Sequence, residues 1–461
     1  MAAAAATAAG RRQRRHRAAV LAAAALGGLC LVAVTCADAT APRGFLAAKP
    51  RAAESAAPWV CGGDAWQRRP PASGVVLAAS AADSAKAAYA GKPLVSRVLG
   101  DFVALVVAPI RLLRLSSITK EVAAGIKKDV EAKKTGGGSG KTSDAVATLK
   151  KFLPTYIKSN VIARTPPEDY RQVLKTFLTT LLEAFSAEKP YNFLPYHQAI
   201  RGPDIDFYKW GNDFFRAMVK FRTSRVEGKD QVTEISRHLA EGDNVVLLAN
   251  HQTEADPQVL SILMELEGHE PIAERCIFVA GHKVTTDPLA VPFSKGRNLL
   301  TIFSKKYLDS FEDEERVVKS ARNRETVGEM QRLLGEGGNI FWVAPSGGRD
   351  RRSAESGEFE PAKFDPASVG LFAILAQKAE KASGKKTHFY PMAMWTHGLM
   401  PPPDDTKSAV GEARSAARSP VGLAFGPEMN VEALGGRKKF PESAERIVRE
   451  RYAHLNGLMK R

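Results

Sequence analysis

The stretch Asn244–Pro257, NVVLLANHQTEADP, constrains this chain more than any other. Asn244–Ala249 is an apolar run bounded by polar residues and reads as a buried strand. Asp256-Pro257 then opens a helix. Asp can cap free N–H groups, and Pro is tolerated at the first helical position because its missing N–H has no partner there. Val259, Leu260, Ile262, Leu263, Met264 and Leu266 supply the apolar side of that helix. A strand turning quickly into a helix puts Asn250, His251 and Asp256 at the rim of a sheet. In open α/β sheets ligands bind at that rim.

His251 and Asp256 form a His-x-x-x-x-Asp pair. An imidazole is suited to take a proton near neutral pH. A carboxylate on its far nitrogen fixes the tautomer and stabilises the imidazolium. The bare pair equally describes a surface histidine beside a capping aspartate, since five-residue spacings arise often by chance. Three other stretches add to it. Ala344-Pro-Ser-Gly-Gly-Arg-Asp-Arg351 follows the apolar run Ile340–Val343. Gly347 and Gly348 let backbone N–H groups approach an anion, and Arg349 and Arg351 offer forked donors that match phosphate oxygens. Ser304-Lys305-Lys306-Tyr307 also lies just past a strand-like run. Tyr390–Met394 is a strand with Pro391 inside it, which on its own reads as an edge strand or a bulge.

The 461 residues are too many for one small core and suit two domains plus a tail. Hydrophobic residues make up 44% and charged residues 25%, as in a globular protein that folds in water. Net charge is +16, and residues 1–62 carry only eight Lys/Arg against two acids, so most of the excess lies beyond them. That excess fits a phosphate-bearing substrate, an acidic protein partner or an anionic membrane surface. Nucleic acid is the generic alternative, but no zinc-type Cys/His spacing or aromatic RNA-binding signature accompanies it. Of four cysteines only Cys276 lies in the body, which argues against a disulfide framework.

Residues 1–37 contain no acid, and an Arg-rich start precedes the apolar run Ala18–Val34 and the small residues Thr35-Cys36-Ala37. That is the form of a secretory signal peptide, with a signal anchor as the alternative. Residues 1–62 are therefore read as a targeting presequence and 63–100 as an Ala-rich, low-complexity linker. Asp101–Leu115, Ile118–Ala132, Asp144–Ile157 and Glu168–Ala187 read as helices, with a flexible joint at Gly136–Gly140. Together 101–190 predict a small helical bundle. From residue 191 to 461 the pattern becomes α/β. Strands are expected at Val245–Ala249, Cys276–Ala280, Asn298–Phe303, Ile340–Ala344, Phe389–Met394 and Gly422–Phe425. Helices are expected at Asp256–Leu266, Glu312–Leu334 and Pro366–Lys381.

NHQTEADP, FVAGHKVTTDPLAVPFSKGRNLL, SKK, WVAPSGGRDR and MPPP together resemble the soluble plastid glycerol-3-phosphate acyltransferases, within the wider His-x-x-x-x-Asp glycerolipid acyltransferases. PYHQAIR with FYKWG, at Pro195–Gly211, also matches. The resemblance covers roughly residues 105–430. It implies a mixed sheet flanked by helices beside a small helical bundle. It implies His251 as general base, Asp256 orienting it, and Lys306, Arg349 and Arg351 holding the substrate phosphate. Asn250, Gly347, Gly348 and Pro391 take supporting places. Two positions depart from the plant pattern: Tyr307 stands where a His is usual, and His282-Lys283 where Asp-Arg is usual. The implied reaction moves an acyl group from an acyl carrier protein or CoA thioester to the sn-1 hydroxyl of glycerol-3-phosphate. A thioester is activated enough that neither metal nor cofactor is expected. The alternatives are a lysophosphatidic acid acceptor, against which APSGGRDR argues, and a non-catalytic relative that binds phospholipid or acyl carrier protein. Thr40–Glu54 is basic and Ala-rich, and with the signal-like start it resembles the two-part presequences of algae whose plastids have extra membranes. The expectation is a plastid stroma enzyme reached through the secretory pathway. Asp101–Leu115, broken by Pro109, Arg111 and Arg114, is too short to span a bilayer and leaves peripheral membrane contact open.

Overall fold

The computed structural model describes residues 94–133, 141–187, 191–303, 308, 312–401 and 414–460. The presequence, nearly all of the linker, the Gly136–Gly140 joint and Ser304–Tyr307 with Lys306 lie outside the described residues.

An eight-stranded mixed sheet forms the centre. Its strands are β1 (Tyr196–His197), β2 (Arg225–Glu227), β3 (Asn244–Ala249), β4 (Ile277–Gly281), β5 (Asn298–Ile302), β6 (Ile340–Val343), β9 (Thr387–Trp395) and β10 (Gly422–Phe425). β7 (Arg351–Arg352) and β8 (Phe359–Glu360) make a separate antiparallel pair. The spatial order is β1-β5-β4-β6-β3-β9-β10-β2. The five strands from β5 to β9 in that order run parallel, so their carboxyl ends share one rim. β1 and β10 pair antiparallel with β5 and β9.

β3 is central because both of its faces are apolar. Val245, Leu247 and Ala249 join the core that includes Val259, Ile262 and Leu263 of the following helix. Val246 and Leu248 face the opposite way, into a second core with Leu333 and Leu334 of helix Asp313–Glu336 and Val369 and Phe372 of helix Pro366–Ser383. A strand covered on both sides has no room for polar alternation, which is why the run is continuous. Each such side chain contributes about 1.5–3 kcal/mol on burial. The helix after β3 spans Asp256–Leu266, the bounds expected from the sequence, but its N-cap is Ala255, and the Asp256 carboxylate bonds the preceding loop instead of capping the helix.

The helical region differs in detail from the sequence expectation. Asp101–Leu115 and Ile118–Ala132 are one helix, Leu94–Lys133, which starts inside the stretch read as linker and runs through Pro109. Pro109 is exposed, ahead of the stripe Leu115, Ile118, Val122 and Ile126 that packs inward. This helix packs with Lys141–Ala163 and Pro167–Ser186. Their core is continuous with that of the sheet region: the Tyr156 ring stacks on Phe214 at 4.4 Å, and Phe177 lies 5.0 Å from the same ring. β1, β2 and the helices Lys229–Ala240 and Gly436–Met459 were not anticipated from the sequence.

Candidate functional site

The carboxyl ends of β3, β6 and β9 converge. Asn250 and His251 follow β3, the Ala344–Arg351 loop follows β6, and Thr396 follows β9. His251 Nδ1 lies 2.8 Å from Asp256 Oδ2. The Asp256 side chain is fully buried, while that of His251 is 24% exposed. The buried carboxylate is well satisfied. Oδ2 also accepts from the Gln252 backbone N–H at 2.7 Å, and Oδ1 accepts from Thr253 N–H, the Thr253 hydroxyl and the Thr396 hydroxyl. Asp256 therefore pins the loop ahead of its helix and orients the imidazole at once. With Nδ1 committed to Asp256, Nε2 is the nitrogen that can meet a substrate. The Trp342 ring stands edge-on to the imidazole at 5.7 Å and forms an apolar wall.

The residues around this pair are cross-braced. Asn250 Nδ2 donates to Asp350 Oδ2 at 2.7 Å and to Met394 O, and its Oδ1 accepts from Met394 N–H. Gln252 Nε2 donates to the Tyr452 hydroxyl, and its Oε1 accepts from Thr396 N–H at 2.7 Å. Glu254 accepts both a 2.7 Å and a 2.8 Å bond from Arg414, which also reaches Asp287. Burial alone would raise the Glu254 carboxyl, but Arg414 donates to it and neutralises it, and the net shift is below its ordinary value.

The Ala344–Arg351 loop turns through Gly347 at φ +63, the left-handed region that glycine enters without strain. Gly347 and Gly348 are exposed, and space around both is open enough for a ligand to approach the backbone. Arg349 lies beside the His251–Asp256 segment, with Nη1 3.8 Å from Glu254. Arg351 is held in the short β7–β8 pair, opposite Glu360, and its guanidinium donates to its own loop at Arg349 O and Asp350 O. Between them Asp350 turns inward and is completely buried, and burial pushes its carboxyl up to about 6.

The geometry thus joins His251, Asp256, Asn250, Gly347, Gly348, Arg349 and Arg351 at one rim. Lys306 falls outside the described residues; β5 ends at Ile302, just before it. Of the two departures from the plant pattern, Tyr307 is likewise outside, and His282 stacks on Phe303 at 5.5 Å. Pro391 is not on an edge: β9 is flanked by β3 and β10. Its carbonyl accepts from Gly426 N–H just where β10 pairing ends, so the bond that Pro391 cannot return is the last of that ladder. It pairs with Leu248, two residues before Asn250, and so belongs to the frame beneath the rim.

Sequence reasoning passed over Asp350, Thr396, Gln252, Tyr452, Glu254 and Arg414. Asp350 carried a signal, since an acid between two arginines in an extended segment points to the opposite side from both. The others carried none, because their partners lie far away along the chain.

Residues 224–395 match the model of the Acyltransferase family. The chloroplastic glycerol-3-phosphate acyltransferase ATS12 of Cucurbita moschata is 35% identical over 72% of this chain and 69% of its own length. The chloroplastic glycerol-3-phosphate acyltransferase of Arabidopsis thaliana is 33% identical over 74% and 73%. That of Spinacia oleracea is 40% identical over 56% and 54%. Among solved structures, the 1-acyl-sn-glycerophosphate acyltransferase PlsC of Thermotoga maritima gives a TM-score of 0.32 at 15% identity, over 54% of this chain and 78% of that one.

Proposed function

Because the chain belongs to the glycerol-3-phosphate acyltransferase family, its reaction is acyl transfer to glycerol-3-phosphate, and we propose that His251 is the general base of that transfer. Asp256 holds the imidazole, and Arg349, Arg351 and Lys306 seat the phosphate of the acceptor. An alcohol attacks a thioester poorly at neutral pH, and a base within hydrogen-bond reach of the hydroxyl corrects this. His251 Nε2 takes the proton of the sn-1 hydroxyl as its oxygen bonds to the thioester carbonyl carbon. The tetrahedral adduct then expels the sulfur, and the imidazolium returns the proton to the leaving thiolate. The products are 1-acyl-glycerol-3-phosphate and a free thiol. A dianionic phosphate fixed by forked arginines removes the entropic cost of bringing the hydroxyl to the base.

The observation that carries this reading is the 2.8 Å His251–Asp256 contact at the rim shared with the arginine loop. The donor is an acyl thioester of acyl carrier protein, with CoA as the substitute; the +16 charge accords with an acidic carrier. Plastid residence agrees with the chloroplastic relatives. The presequence takes the chain there through the secretory pathway. Contact with a bilayer, where it occurs, is peripheral. No helix among the described residues is long and apolar enough to cross a membrane. Ile110, Leu112 and Leu113 are exposed beside Arg114, a mixture suited to an anionic lipid surface.

The test is an assay of the purified protein with glycerol-3-phosphate and either acyl-acyl carrier protein or acyl-CoA, run beside His251→Ala. Acylation by the wild type and its loss in the variant are expected. Acylation of lysophosphatidic acid in preference to glycerol-3-phosphate, or full activity without His251, overturns the reading.

A further inference from the structure

The residue between the two arginines ties the phosphate loop to the catalytic histidine. Asp350 N–H donates to His251 O at 2.6 Å. Its side chain, 0% exposed, accepts from Asn250 Nδ2 on Oδ2 at 2.7 Å and from Ala362 N–H on Oδ1 at 2.9 Å. Asn250 is itself fixed at both ends of its amide to the Met394 backbone of β9. One buried carboxylate therefore connects the ends of β3, β6 and β9.

Burying a carboxylate is costly, so its retention calls for a requirement that a neutral side chain cannot meet. Here the requirement is two acceptors. Donors reach the two oxygens from separate segments, and only a carboxylate accepts at both. An amide of the same shape presents one acceptor and one donor, and must set an N–H against an N–H. Asp350 does not face the substrate side, where Arg349 and Arg351 are partly exposed.

We propose that Asp350 is a positioning residue for the acyl transfer: it holds the Arg349/Arg351 loop in register with His251, so that a seated phosphate delivers the acceptor hydroxyl to Nε2. The inference rests on the reading of Arg349 and Arg351 as phosphate ligands. Misplacement of a reactant by about 1 Å is enough to lower turnover by about a hundredfold. Asp350 therefore acts on kcat, whereas the arginines act on the acceptor KM.

The test compares Asp350→Asn, Arg349→Ala and the double variant in the full chain, with kcat and glycerol-3-phosphate KM measured separately and thermal unfolding followed. Asp350→Asn is expected to lower kcat by about tenfold or more, to change KM far less than Arg349→Ala does, and to lose less in the Arg349→Ala background than alone. A wild-type kcat, or a rise in KM with kcat intact, overturns the proposal. If Asp350→Asn does not fold, Asn250→Ser leaves Asp350 in place and removes its Nδ2 donor. It must then show the same kcat loss with KM retained, and an unchanged kcat overturns the proposal. If Arg349→Ala and Arg351→Ala leave the acceptor KM unchanged, the phosphate reading falls, while the kcat loss in Asp350→Asn still stands or fails by itself.

Discussion

The Thr396 hydroxyl donates at 2.5 Å to Asp256 Oδ1, the carboxylate oxygen that His251 does not use. The Asp256 carboxylate is thus held from the strand on the far side of the rim as well as from the loop before its own helix. Removing that donor leaves Asp256 buried with one fewer partner. Thr396→Val is expected to lower kcat by about three- to tenfold, in line with the net worth of one typical hydrogen bond. Steady-state kinetics check this, and an unchanged kcat shows that Asp256 is held by its own loop alone.

His251→Ala is expected to lower kcat by about a hundredfold or more, with little change in the unfolding midpoint, because the side chain is partly exposed and contributes little to packing. Asp256→Asn should lower both turnover and stability, since the Asp256 carboxylate also accepts from the buried Gln252 and Thr253 N–H groups. Circular dichroism melts separate the two effects.

Arg349→Ala and Arg351→Ala should each raise the glycerol-3-phosphate KM by about tenfold or more and leave the acyl-donor KM near its original value, since a forked contact to phosphate is lost. Lys306→Ala should act in the same direction but more weakly, because an ammonium makes a point contact. Initial-rate kinetics with each substrate varied in turn decide this. A selective rise in the acyl-donor KM would move the thioester, not the phosphate, to this loop.

His388 provides a pH signature at the opposite end of the sheet. Its burial alone would lower the imidazole, but Glu428 at 2.8 Å and Asp243 at 3.3 Å more than offset this and hold it above its ordinary value. The folded state therefore binds this proton more tightly than the unfolded chain. The stabilisation is complete below the unfolded value of about 6.5 and is lost as pH rises through the higher folded one. Unfolding midpoints measured from about pH 6 to 9 should converge between wild type and His388→Gln as pH rises. Curves that stay parallel would show that the imidazole does not titrate in this window.

The parts of the fold that the sequence disclosed are those that depend on nearest neighbours along the chain. The helix Asp256–Leu266 was legible to the residue because Asp, Pro and the apolar stripe all lie within it. The Ile340–Val343 strand and the Gly347 turn follow from runs and single residues in the same way. The helix Gly436–Met459 was missed although Phe440, Ala444, Val448, Tyr452 and Leu455 mark its inner face, because charged residues dominate its composition. β1 and β2 are too short to leave a periodic trace. At the site, His251 and Asp256 are neighbours and were found. Thr396, which bonds Asp256 across 140 positions, and Arg414, which bonds Glu254 across 160, leave no mark on the local pattern. The join in Leu94–Lys133 was missed because the polar pair Ser116-Ser117 interrupts the apolar pattern, whereas the backbone runs through it as helix.

The bond between Gln252 and Tyr452 spans 200 positions. A chain that emerges from the ribosome, or is threaded through a translocation pore, amino end first must therefore deliver its final helix before the His251 loop has all its supports. Closure across such a separation comes late, since the loop entropy must be overcome before the contact can form. The His251 loop therefore gains its Tyr452 support only once the helix Gly436–Met459 has docked.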